Sequence, residues 1–175
     1  VVLATGVFGG ARRIDLPEAD RYSGKLLYAA EYSGGQDVAG KRALVVGSGS
    51  SAHDVSQELN ASGASVTMLQ RGSTCVISLE PGASLPYAIY SESGLPVEQA
   101  DMLSNSIPYA LLLKFHKEMT KRVIEMDKDL IAGLNRAGFA TNNGEEDAGF
   151  LTNFLRRGGG YYINVGTSDL IISGQ

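Results

Sequence analysis

Residues 47–52 read Gly47-Ser48-Gly49-Ser50-Ser51-Ala52, which fits the pattern G-x-G-x-x-G/A. Six residues with almost no side chain do one kind of chemistry well: they let main-chain amides approach a large anion. Gly47 permits a tight turn, Gly49 removes the Cβ that would keep a pyrophosphate away, and Ala52 lets a following helix pack close to the preceding strand. A helix starting here would point unpaired N–H groups and a partial positive charge at phosphate oxygens. Ser48, Ser50 and Ser51 add hydroxyl donors. Some twenty residues on, where an acid would hold a ribose 2′-hydroxyl, the chain reads Gln70-Arg71-Gly72-Ser73-Thr74, with no acid. The planar fork of Arg71 suits a 2′-phosphate, with Ser73 and Thr74 beside it. The pair of features points to NADP rather than NAD. The plainer alternatives are a glycine-rich turn in some other α/β unit and a solvated surface arginine.

Such a loop works only between a strand and a helix. Residues 43–46 are apolar and read as a strand. Residues 50–62 read as a helix, with Val55 and Leu59 on one face and Gly63 as its stop. Residues 65–70 read as the next strand, from the β-branched Val66 and Thr67. Residues 1–4 also read as a buried strand, with Thr5-Gly6 as its exit turn. Beyond Arg71 the chain is expected to be irregular as far as Leu103, because Pro81, Pro86 and Pro96 forbid a long helix. Leu112, Phe115, Met119, Val123, Met126, Leu130 and Leu134 recur at steps of three and four and predict one long amphipathic helix. Glu118 and Arg122 are placed to pair on its outer face. Residues 140–149 read as a polar, mobile loop. Residues 161–165 read as a strand, and residues 167–173 as a short helix capped by Thr167 or Ser168 and stopped by Gly174.

The totals limit the function. The chain has 175 residues, 43% of them apolar, enough for a buried core. Fifteen basic side chains against nineteen acidic ones give a net charge of −4, which argues against a nucleic-acid partner. One cysteine, Cys75, cannot form an internal disulfide, so a reducing, cytoplasmic setting is expected. The run Leu111-Leu112-Leu113 is too short to cross a membrane and ends at Lys114. No His, Cys, Asp and Glu cluster has metal-ligand spacing, so no metal is expected. The opening on "VVLATG", without a starting Met and inside an apolar strand, reads as part of a longer protein.

Three segments together resemble the flavin-containing monooxygenase family and its Baeyer–Villiger relatives. They are "VLATG" at residues 2–6, the linker Tyr22-x-Gly24-x-x-x-Tyr28-x-x-x-Tyr32, and the loop at residues 47–52, in that order and spacing. In that family "ATG" closes part of the FAD-binding domain, so the resemblance adds Thr5 and Gly6 to the cofactor contacts, and "LQRGST" adds Gln70 beside Arg71 and Ser73. Tyr22 stands where the family has Phe, and Tyr28 where it has His, which leaves the subfamily open. The resemblance implies that NADPH reduces FAD and that the reduced flavin uses O₂ to place one oxygen atom on a small nucleophilic or carbonyl substrate. It implies an α/β fold: a Rossmann-like NADP-binding domain with a parallel sheet and a helical insertion. Residues 1–40 would be the end of the FAD domain and linker, 41–80 the NADP core, 81–160 the insertion and 161–175 a return segment. The family's FAD glycine loop is absent from these residues, so the chain alone is expected to be inactive. No catalytic residue is assigned. A non-catalytic nucleotide-binding module and a pyridine-nucleotide reductase without oxygen chemistry remain as alternatives.

Other residues carry plainer readings. His53 reads as a helix N-terminal residue more readily than as a phosphate contact, His116 as solvated, and Asp54 and Glu58 as ordinary helix acids. Cys75 lacks neighbours that would activate it. Tyr161 and Tyr162 read as core.

Overall fold

The computed structural model describes residues 1–2, 13–91 and 94–175. It is a mixed α/β structure with two small parallel strand pairs and several helices. Strand β1 (Arg42–Val46), helix α1 (Ser50–Ala61) and strand β2 (Ser65–Leu69) follow one another as the sequence predicts. The strands pair in parallel, from Arg42 opposite Ser65 to Val46 opposite Leu69. Parallel neighbours need a crossover, and α1 supplies it. The helix stops where glycine allows a left-handed turn. Gly63 takes φ 85°, its N–H reaches the Asn60 carbonyl at 2.9 Å, and the Ala64 N–H reaches the Leu59 carbonyl at 3.0 Å. These two reversed bonds satisfy carbonyls that the helix end would otherwise orphan. The buried face of α1 is His53, Ser56 and Leu59, rotated from the Val55 and Leu59 face expected.

The second pair joins β3 (Cys75–Ser78) to β4 (Tyr161–Asn164), again in parallel, from Cys75 opposite Tyr161 to Ser78 opposite Asn164. The segment expected to be irregular from Arg71 to Leu103 therefore contains a strand, and also the helix α2 (Val97–Ser106). Strand β3 is covered on both sides, so its four residues show no polar alternation. Cys75 and Ile77 enter one apolar cluster with Ala83, Val123 and Phe150. Val76 enters another with Leu134, Phe139 and Tyr162.

The predicted long helix is two: α3 (Tyr109–Met126) and α4 (Lys128–Arg136). The break is at Asp127, with φ −94° and ψ 11°, and its buried carboxylate accepts the Ser78 N–H at 2.8 Å. The apolar rhythm runs through the break because each helix buries a stripe, but against different clusters: Val123 joins the first, Leu134 the second. Glu118 pairs with Lys121 at 2.6 Å rather than with Arg122. Both partners are exposed, so the pair adds little stability.

Residues 140–149 are fastened, not loose. Thr141 bridges to Thr74, Glu145 meets Arg156 at 2.8 Å and Arg157 at 2.6 Å, and Glu146 meets Arg156 at 2.7 Å. The two arginines lie on α5 (Gly149–Arg157), a helix not expected from the sequence. Its nine residues have glycine at one end and a glycine run after the other, too short for a clear periodicity. Helix α6 (Thr167–Ser173) is present and stops at Gly174, but its N-cap is Gly166. The Thr167 hydroxyl instead donates to the His53 carbonyl at 3.1 Å, tying α6 to α1. Among the described residues, no helix is long and apolar enough to cross a membrane.

Candidate nucleotide-binding site

The glycine loop leaves β1 and enters α1. Gly47 takes φ 131°, a conformation that residues with a side chain rarely adopt, and its N–H donates to the Leu69 carbonyl at 3.0 Å. A Cβ on Gly47 would lie 3.7 Å from the Ala52 Cβ, so these two small residues face each other where helix meets strand. Gly49 caps α1 with ordinary extended backbone, φ −88° and ψ −179°. Its carbonyl accepts the N–H of Ala52 at 3.0 Å and of His53 at 3.1 Å. A Cβ on Gly49 would meet no atom within 4 Å. The amides of Gly49, Ser50 and Ser51 make no hydrogen bond among the described residues. An open backbone and orphaned helix-start donors are what a diphosphate requires, so the residues fit that group.

The serines divide. The Ser48 hydroxyl lies 2.8 Å from the Thr74 hydroxyl, and that of Ser50 donates to the Tyr161 carbonyl at a long 3.4 Å. Ser51 is exposed. At the end of β2, Arg71 is exposed, and its guanidinium has no hydrogen bond or ion pair among the described residues. Gln70 is already committed. Its amide donates to the Ala140 carbonyl and accepts the Ala140 N–H, both at 2.8 Å, like one more residue of a strand ladder. Ser73 accepts from Asn142 Nδ2 at 2.8 Å. Residues 140–142 thus stand against the Arg71 turn, whose Thr74 in turn meets Ser48 of the glycine loop, a neighbourhood that sequence distance concealed. Thr5 and Gly6 lie outside the described residues, as does the second half of the expected first strand.

His53 stands in the first turn of α1 as expected, though buried, while His116 is not solvated. His53 is wholly buried, stacked on Tyr162 with ring centroids 3.7 Å apart and edge-on to Phe139 at 5.5 Å. Its Nδ1 lies 3.0 Å from the Gly49 carbonyl, which can only accept, so Nδ1 carries the proton and the buried Nε2 is bare. His116 is buried as well, with Nδ1 2.9 Å from the Thr152 hydroxyl. Burial lowers both imidazoles below their ordinary value of 6.5. Stability from keeping them neutral is complete above that value. As pH falls below 6.5 the unfolded chain takes up protons that the folded chain refuses. Each histidine then removes at most about 1.4 kcal/mol per pH unit until its lowered folded value is reached. The thermal midpoint should therefore drop between pH 6.5 and pH 5, before the carboxylates titrate. An unchanged midpoint over that range would contradict the assignment.

Cys75 is buried in apolar surroundings and its thiol is pushed up to about 12, consistent with an inert core residue. Glu58 is not merely solvated: it accepts the Gly35 N–H at 2.8 Å and holds the linker to α1. A cavity of about 30 Å³ lies between α3, α5 and β3, lined by Cys75, His116 and Phe150. It has room for about one water and is no cofactor site. Among the described residues no group of His, Cys, Asp and Glu is placed to hold a metal ion.

Indole-3-pyruvate monooxygenase YUCCA1 of Oryza sativa subsp. japonica is 29% identical over all 175 residues, which span 38% of that protein. A 4-hydroxybenzoate brominase (decarboxylating) of Pseudoalteromonas luteoviolacea (strain 2ta16) is 27% identical over 125 residues, 70% of this chain and 22% of that one. The probable indole-3-pyruvate monooxygenase YUCCA8 of Arabidopsis thaliana is 39% identical over 83 residues, 46% of this chain and 19% of its own. The chain thus spans well under half the length of the relatives it matches. The monooxygenases among them bear out the resemblance to the flavin-containing monooxygenases. With the family match they support FAD and NADP as the cofactors. The family model for pyridine nucleotide-disulphide oxidoreductases matches residues 1–90, the span that holds the linker, the glycine loop and Arg71. On that match over half its length, the chain belongs to the pyridine nucleotide-disulphide oxidoreductase family.

Proposed function

We propose that this chain is the NADP-binding portion of an NADPH- and FAD-dependent monooxygenase. The observation that carries the reading is the open backbone at Gly49, with helix-start amides and, beyond the following strand, an Arg71 guanidinium that have no partner among the described residues. Gly47, Gly49, Ser50, Ser51 and Ala52 form the diphosphate cradle. Ser48 holds the cradle to Thr74. Arg71 and Ser73 read the 2′-phosphate, and Gln70 fixes the turn that presents them. Thr5 and Gly6 belong to the FAD side. Residues 1–40 end the FAD domain and linker, 41–80 form a Rossmann-like core, 81–160 a helical insertion and 161–175 the return. The bound flavin supplies the oxygen chemistry, while the protein positions it and excludes water. The protein works in the cytoplasm on a small molecule, and the names of the relatives direct attention to aromatic carboxylates and 2-oxo acids.

The test uses the full-length protein with NADPH, ¹⁸O₂ and a panel containing indole-3-pyruvate and 4-hydroxybenzoate. One labelled oxygen per product, with NADPH consumed in step, is expected. NADPH oxidation that passes electrons to an acceptor without label in the product would replace this reading with a reductase. Nucleotide binding without any turnover across the panel would replace it with a binding module.

A further inference from the structure

Two hydroxyls follow Arg71, and their hydrogen bonds differ. Thr74 is 2% exposed. Its Oγ1 receives Gln70 Nε2 at 3.2 Å and lies 2.8 Å from the Ser48 hydroxyl and 3.2 Å from the Ser48 carbonyl. Its single proton is used within the fold. Ser73 is exposed, and its oxygen accepts from Asn142 Nδ2 at 2.8 Å. The Asn142 amide cannot be turned round. Its Oδ1 accepts the Gly144 N–H at 2.8 Å, which fixes the oxygen on that side and the NH₂ toward Ser73. The Asn142 backbone is held too, since its N–H donates to the Thr74 carbonyl at 3.1 Å and the Thr74 N–H donates to the Ala140 carbonyl at 3.1 Å. A serine hydroxyl whose lone pair is occupied by a fixed donor has its own proton directed elsewhere. Here that proton has no acceptor among the described residues, two positions along the chain from the exposed Arg71.

We infer that Asn142 is a specificity-determining positioning residue: by donating to Ser73 it turns the Ser73 hydroxyl outward as a donor to the 2′-phosphate of NADP. The inference rests on the NADP reading of Arg71. It places part of the nucleotide preference some ninety residues beyond the glycine loop, and some seventy beyond Ser73. NAD carries a hydroxyl at that position, with no anion for an outward donor to meet, so the arrangement favours only the phosphorylated nucleotide. A hydrogen bond to a charged group is worth enough that losing it weakens NADP⁺ binding by about tenfold or more.

Isothermal titration of the full-length protein with NADP⁺ and with NAD⁺ tests this. Asn142→Ala should weaken NADP⁺ about tenfold and leave NAD⁺ within about twofold. Ser73→Ala should do the same, and Asn142→Ala in the Ser73→Ala background should add nothing, because one acts through the other. Asn142→Asp is the second variant, in case alanine unsettles the loop. It keeps the acceptor for Gly144 but accepts from Ser73 instead of donating, so the serine proton turns inward. NADP⁺ should weaken, and by less when Ser73 is already alanine, where only the added charge remains. Equal weakening of both nucleotides by Asn142→Ala would reduce Asn142 to a structural brace and overturn the inference. So would an unchanged NADP⁺ affinity, or fully additive losses in the double variant. A wild-type protein with no preference for NADP⁺ would instead overturn the Arg71 reading, and this inference with it.

Discussion

Gly49→Val should abolish measurable binding of NADPH and NADH alike, in a protein that still folds. The backbone at Gly49 is extended and open to any residue, and an added Cβ meets nothing within 4 Å. The valine side chain therefore costs the fold no more than the loss of a favourable N-cap, at most about 1 kcal/mol. On the proposed reading it would occupy the space through which a diphosphate reaches the amides of Gly49, Ser50 and Ser51. Losing two hydrogen bonds to a charged group, each worth about 1.5–3 kcal/mol, weakens binding at least a hundredfold. Titration with both nucleotides, beside a melting curve, checks the expectation. Retained affinity at an unchanged midpoint would remove the cradle from this loop. The same substitution at Gly47 is no control, since φ 131° there strains any side chain and would mix folding with binding.

Arg71→Ala separates the nucleotides. NADPH binding should fall by about ten- to a hundredfold, the worth of an arginine–phosphate contact, and NADH binding should hardly change. The guanidinium has no partner among the described residues, so its removal breaks no contact of the fold and stability should stay where it was. Salt gives an independent check. The NADPH advantage should shrink with rising ionic strength in the wild type and not in the variant, because an exposed charge pair is screened. Loss of both nucleotides together would show that Arg71 holds something common to them. Loss of neither would return it to an ordinary surface residue.

The parts of the site visible in the sequence are those whose demands are local. A turn with φ 131°, a helix stop at φ 85° and a facing pair of small residues restrict residue type where they stand, so Gly47, Gly63 and Ala52 were legible. Arg71 stood out in the sequence as a charge at a fixed distance along one strand–helix–strand unit, and its side chain is exposed in the structure. What stayed hidden depends on contacts made across the fold. Strand β3 is four residues covered on both sides, which leaves no alternation to read. The break at Asp127 is set by the Ser78 N–H, and the apolar steps through it are those of an unbroken helix. His116 has charged neighbours in sequence, yet its ring meets Thr152 from another helix. His53 was placed by Tyr162, from the far end of the chain. The Gln70 side chain resembles a ligand contact until Ala140 is seen filling it.

That last pairing bears on how cofactor preference can change. If residues 41–80 were transplanted as a cassette into a related scaffold, Gln70 would arrive without Ala140, and Ser73 without Asn142. The recipient would inherit the guanidinium on an untethered turn. On the proposed reading, NADP preference would then be altered from two distant places, and recombination that splits them would weaken the grip on the phosphorylated nucleotide.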